Sequence, residues 1–216
     1  MELAPTLAVL ALLILSLGAH EAAHGWVALK CGDTTARDLG RITLNPIPHI
    51  DPFMTIVLPL VMYFSTGFMF GGAKPVPVNF YNLRKPYRDM ALVAIAGPLS
   101  NFLIAGLLYT AYHFVAGLEA YQQKVLPDIL LHAVHWNLLL SAFNLLPIPP
   151  LDGSRVMAWL LPRGMRSAYV QFERYGMMVL FGLLIFGGGL LWRPIWATID
   201  FQYQVIHQVV TLGGLW

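Results

Sequence analysis

Between Leu3 and Leu29 the chain is an almost unbroken apolar run, and inside it stand His20, Glu21 and His24. A helix over that run is roughly 40 Å long at about 1.5 Å per residue, enough to cross a bilayer with tilt. Ionisable side chains in such a segment are costly and by default mark a functional site. The spacing narrows the site further. Histidines four apart on a helix share one face with about 6 Å between them, the geometry in which two imidazoles meet one zinc ion. Glu21, one position on, then reaches a water beside the metal rather than the metal itself, a general base next to a Lewis acid.

Composition agrees with the membrane reading. Of 216 residues, 57% are hydrophobic and 11% charged, too apolar for a soluble domain of this size. We expect an all-α integral membrane protein, a polytopic bundle of about four spans, forming a single domain over residues 1–216 with its core in 3–160. A net charge of +2 calls for no nucleic-acid partner; the partner expected is the lipid bilayer. One cysteine, Cys31, forms no intrachain disulfide and leaves the redox compartment open. Met1-Glu2-Leu3 lacks the basic start of a signal peptide, so the N-terminus is expected to be retained.

After the first span, residues 30–51 are polar, with Arg41-Ile42-Thr43-Leu44 suited to a short strand. Segment 52–70 is apolar but interrupted by Pro59. In Gly71 to Asn79, alternating prolines and valines suit an extended edge strand, a small membrane-associated β element. Residues 90–118 form a clear span carrying Gly97-Pro98-Leu99-Ser100-Asn101, and Ile129 to about Leu146 form another, ended by Pro147, Pro149 and Pro150 ahead of Asp152-Gly153. Residues 154–175 are basic and partly amphipathic. A last span is expected over 176–192, followed by an interfacial tail, 193–216.

Charge placement decides the topology. If 52–70 dips into the membrane and returns as a re-entrant hairpin, eleven of the thirteen Lys and Arg lie on one face, with Lys124 and Arg193 opposite; if it crosses, they divide eight to five. The positive-inside rule favours the hairpin. Independently, His20 and His24 near the C-terminal end of the first span meet Asp152, after the third, only if those spans are parallel. Both arguments put the N-terminus outside and the site open to the cytosol, in a multi-pass protein of the cell membrane. Asp152, set by proline breaks at the right depth, is the candidate third metal ligand.

Three motifs in register, His20-Glu21-Ala22-Ala23-His24, Gly97-Pro98-Leu99-Ser100-Asn101 and Asn144 through Asp152-Gly153, resemble those of the site-2 protease family of intramembrane zinc metalloproteases. Gly72 to Asn79 resembles its compact prokaryotic branch, which lacks PDZ and CBS domains. The resemblance implies regulated intramembrane proteolysis of a transmembrane protein or peptide, with Zn(2+) on His20, His24 and Asp152 and Glu21 as base. It implies further that Asn144 contacts the substrate backbone or the developing oxyanion, and that Asn101 and the Val76–Val78 edge are substrate-binding or, for Asn101, structural. His49, Asp51, His113, His132, His135 and His207 read as interfacial or helix-contact residues. Two alternatives stand beside peptidase activity: a zinc hydrolase of another membrane amide or ester, and a non-proteolytic membrane zinc-binding or metal-transport protein. Substrate identity and oligomeric state are not encoded in these patterns.

Overall fold

The computed structural model describes residues 3–58, 60, 61, 64, 71–117 and 125–212, and among these every regular element is helical. The principal helices are α1 (Leu3–Cys31), α2 (Pro86–Ala116), α3 (Val125–Asn144), α4 (Asp152–Leu160), α5 (Arg163–Phe172), α6 (Gly176–Phe186) and α7 (Gly189–Leu212). Four segments are long and apolar enough to cross a membrane: Ala4–Cys31, Pro86–Ala116, Val125–Asn144 and Arg163–Phe186.

At the centre lies α2, packed against α1, α3 and α4. Its start carries Pro86 in the first turn, where no N–H is needed, and Asp89 reaches back to accept the Lys85 N–H at 2.8 Å. Its buried face runs through Ala91, Ala94, Gly97, Asn101 and Ala105. Small residues at helical spacing let two neighbouring helices close on it, as in membrane helix packing generally.

The last span departs from the expectation of 176–192. α6 stops at Phe186, and Gly188 adopts φ +45° before α7 begins; the apolar segment of spanning length is instead 163–186. The tail is a helix with one face packed on the bundle and the other exposed. Leu191, Ile195, Ile199, Ile206 and Val210 of α7 are buried in one cluster with Tyr109, Val134, Leu138 and Leu180, because their spacing forms one apolar face that α3 and α2 cover.

The expected β element is also corrected. Residues 71–79 contain no strand, nor do Arg41 to Leu44. A sheet edge needs a neighbouring strand, whereas here the backbone groups go to scattered partners: Lys74 N–H to His49 O at 2.7 Å, Asn79 N–H to Asp33 at 2.7 Å, and the Lys74 carbonyl to the Arg41 guanidinium at 2.8 Å. The stretch is a strap tied down at intervals. Asp33 is one of its posts, fully buried and also bonded to Thr35 and Asn82. Burial pushes its carboxyl upward, but these hydrogen bonds outweigh burial and hold it below the usual carboxylate range.

Of the proposed hairpin, residues 59, 62, 63 and 65–70 lie outside the described residues. Its two ends are nonetheless joined: Gly72 N–H donates to Met54 O at 3.0 Å and the Thr55 hydroxyl to Gly72 O at 2.8 Å.

Candidate active site

His20 and His24 project from the buried side of α1 with their Nε2 atoms 3.0 Å apart. α4 brings Asp152 Oδ2 to 3.3 Å from His20 Nε2 and 3.4 Å from His24 Nε2. Asp152 can stand there because Gly153 lets the start of α4 lie against the end of α3. A Cβ at 153 would overlap the Leu145 and Leu146 carbonyls. On the opposite side Gly97 serves the same purpose. A Cβ there would stand 2.6 Å from His20 Cε1 and closer still to His24 Nε2, so α2 can back the two rings only as glycine.

The other ring nitrogens fix the protonation of the pair. His24 Nδ1 lies 2.7 Å from Val93 O, and a carbonyl only accepts, so Nδ1 carries the proton. For His20 the same conclusion comes through a buried chain: Asn137 Nδ2 donates to Ala133 O at 2.9 Å, Asn101 Nδ2 to Asn137 Oδ1 at 3.1 Å, and Asn101 Oδ1 is thereby turned to accept from His20 Nδ1 at 2.6 Å. Both Nε2 atoms are left as bare acceptors, and Asp152 Oδ2 is buried without a hydrogen-bond donor. Three lone pairs converging with no proton between them repel one another unless a cation is held there. These are the ligand atoms, tautomers and outer partners that a tetrahedral zinc site uses.

Glu21 lies on the same turn, and its Oε2 accepts the Val76 N–H at 2.7 Å. Pro75 and Pro77 have no N–H, so Val76 is the one backbone donor of that tripeptide, and it is aimed at Glu21. The Arg41 guanidinium holds the strap from behind through Lys74 O and Pro75 O.

These groups open on a cavity of about 460 Å³ lined also by Val76, Val78, Asn144 and Arg155. Asn144 gives one amide hydrogen to Leu140 O at 3.0 Å, and its second has no protein acceptor among the described residues. Asn101 does not line the cavity; it is fully buried behind His20. Asn137, Val93 and Arg155, the last clasped by both Glu173 oxygens, were not singled out from sequence. An amide such as Asn137 in the middle of an apolar span is a signal that could have been followed.

The site defines a membrane metalloprotease, and comparison with known proteins gives the same class. The model of "Peptidase family M50" matches residues 8–130 and 118–187, and the chain belongs to that family of zinc metalloproteases. It is 40% identical over 189 residues to YwhC of Bacillus subtilis, named as a candidate zinc metalloprotease, across 83% of this chain and 82% of the relative. It is 30% identical over 183 residues to Rip2 of Mycolicibacterium smegmatis, named likewise, across 80% of this chain and 64% of that protein. No solved structure matches the chain.

Proposed function

We propose that this metalloprotease cleaves peptide bonds within or near the transmembrane segments of membrane proteins, with His20, His24 and Asp152 as its zinc ligands. The observation that carries the reading is that two of the three clustered ligand residues, His20 and His24, sit inside a helix of spanning length. His20 and His24 lie eleven and seven residues before the end of α1, about 16 and 10 Å along its axis. Bound there, zinc supplies a Lewis acid that polarises the scissile carbonyl and acidifies water.

The chain's own groups do the rest. Glu21 is the base: Val76 N–H holds Oε2, leaving Oε1 to take the proton and later deliver it to the leaving amine. Asn144 offers its free amide hydrogen to the oxyanion as it develops. Asn101 is a positioning residue for His20 rather than a substrate contact. Val76 and Val78 of the strap bound the space for an unwound substrate segment.

The paired ends of segment 52–70 support a re-entrant hairpin, which with the Lys and Arg distribution favours an exterior N-terminus and a site open to the cytosol of a cell membrane. Convergence of the ligand atoms at one point, rather than along a path, disfavours metal transport. Glu21→Gln tests the reading: zinc retained and cleavage of a transmembrane peptide abolished supports it, and unimpaired cleavage refutes it.

A further inference from the structure

Three polar side chains on α3, Asp128, His132 and His135, have no part in the chemistry above, and all three are exposed. α3 is of spanning length, and His132 and His135 lie seven and ten residues into it, about 10 and 15 Å along its axis, which puts His135 at mid-helix. An uncovered ionisable group at such depth is costly. His132 Nδ1 donates to Asp128 O at 2.7 Å and His135 Nδ1 to Leu131 O at 2.8 Å, so both Nε2 atoms are bare acceptors. Among the described residues no hydrogen bond or ion pair reaches those nitrogens or the Asp128 carboxylate, although the His135 ring stacks on Tyr203.

The three acceptors line a cavity of about 390 Å³ between α3 and α7, walled on the far side by Trp196. Trp136 and Leu139 border both this cavity and the catalytic one. The two therefore abut along one face of α3, with Asp128 at one end and Asn144 at the other. Sixteen residues separate those ends, about 24 Å of helix.

We propose that the α3–α7 groove docks the transmembrane helix of the substrate, and that Asp128, His132 and His135 select segments carrying hydrogen-bond donors, such as Ser, Thr or Lys, at a fixed distance from the cut. The inference rests on the intramembrane reading above and names the substrate class for it. Counting from Asn144, His135 and Asp128 lie nine and sixteen residues away, so the donors fall about 14 to 24 Å from the scissile bond. Its three ionisable side chains are acceptors, set beside the indole N–H groups of Trp136 and Trp196, and the acceptors complement a donor-bearing helix.

The test uses the full chain, loaded with zinc and carrying Glu21→Gln, in phospholipid nanodiscs, with p-benzoylphenylalanine in place of Trp196. Two labelled peptides are compared. Each has a Gly-Asn-Pro segment followed by a Leu/Ala helix; one carries Ser and Lys nine and sixteen residues beyond it, the other Leu at both places. The expected result is about tenfold more crosslinking of the polar peptide, the yield of one or two interhelical hydrogen bonds in a membrane. Combined Asp128→Asn, His132→Leu and His135→Leu should remove the difference with zinc content unchanged, the zinc reporting that the fold is kept. Equal yields, or crosslinks only to a second copy of the chain, overturn the groove. The peptidase reading is tested separately with the unsubstituted enzyme on the polar peptide and on unfolded casein. Failure on both while crosslinking persists removes that reading and leaves the groove standing.

Discussion

Asn101 accepts the Nδ1–H of His20 at 2.6 Å while itself fully buried. The bond fixes which nitrogen of His20 faces the ligand cluster, and its direction is set two residues away, where Asn137 meets the Ala133 carbonyl. Asn101→Leu is expected to lower zinc affinity by about 10- to 100-fold, the usual cost of losing an outer partner of a ligating histidine. Asn137→Leu should cost less, since it leaves the Asn101 acceptor in place but unsteered. Competition with a chromophoric chelator measures both; unchanged affinity in Asn101→Leu would show that the tautomer is held by something else.

The strap is tied to the base through a single amide. Arg41 grips Lys74 O and Pro75 O, and Val76 N–H meets Glu21. Arg41→Ala should loosen that amide and lower kcat about tenfold, the weight of one hydrogen bond to a charged group, with zinc content intact. Arg41→Lys, keeping one donor, should recover part of the loss. Steady-state kinetics beside elemental analysis separates this from a site that has come apart.

Glycines 97 and 153 are steric requirements. Gly97→Ala is expected to destabilise by about 1–3 kcal/mol through overpacking and to lower the zinc content, because the added carbon falls on the two imidazoles. Gly164 has nothing within 4 Å of where its Cβ would be, so Gly164→Ala should leave both quantities within error. Thermal unfolding and zinc per chain, measured in the same detergent, decide it; a stable, zinc-replete Gly97→Ala would contradict the packing described.

Asp33 couples the strap to pH. Its carboxyl is held below the normal carboxylate value in the folded chain, so it favours folding at pH above the unfolded value of about 3.9. That contribution is lost as pH falls through the lower folded value, because the unfolded state then binds the proton first. Asp33→Asn should lower the unfolding temperature at neutral pH and flatten the acid side of the stability profile. A parallel loss at every pH would assign Asp33 a role independent of its charge.

Single cysteines at Lys74 and Lys124 should be labelled by an impermeant maleimide from opposite faces of sealed vesicles, Lys74 from the cytosolic face, after replacing Cys31. The reverse assignment, Lys74 from the exterior face and Lys124 from the cytosolic one with the N-terminus still exterior, would turn segment 52–70 into a crossing and invert the later loops.

Much of the catalytic cluster was legible because its signals are local. A helix of 3.6 residues per turn brings His20 and His24 onto one face whatever surrounds them, and charge inside an apolar run marks a site before any fold is known. Asp152 was reachable because prolines at 147, 149 and 150 end a helix in any context. Spans 1 to 3 followed from length and hydropathy. The β element failed because a Pro-Val alternation describes an extended backbone but says nothing about whether a second strand lies alongside. The last span failed for a related reason: hydropathy runs through Gly187-Gly188, where the chain turns. His132 and His135 read as bland for want of ligand spacing, and their exposure at depth is a property of how α7 sits.

What the sequence by itself determined, then, is which groups can meet and at what depth: two imidazoles, the Glu21 carboxylate proposed as base and the Asp152 carboxylate, each placed by backbone periodicity or a proline break in a highly apolar chain. What only the tertiary structure decided is which groups stand behind them. Asn101 under His20, Val93 under His24, Val76 on Glu21 and the bare α3 face beside α7 all join residues 55 or more positions apart in the chain. Such contacts depend on how whole helices pack, and no local pattern of residues carries that information.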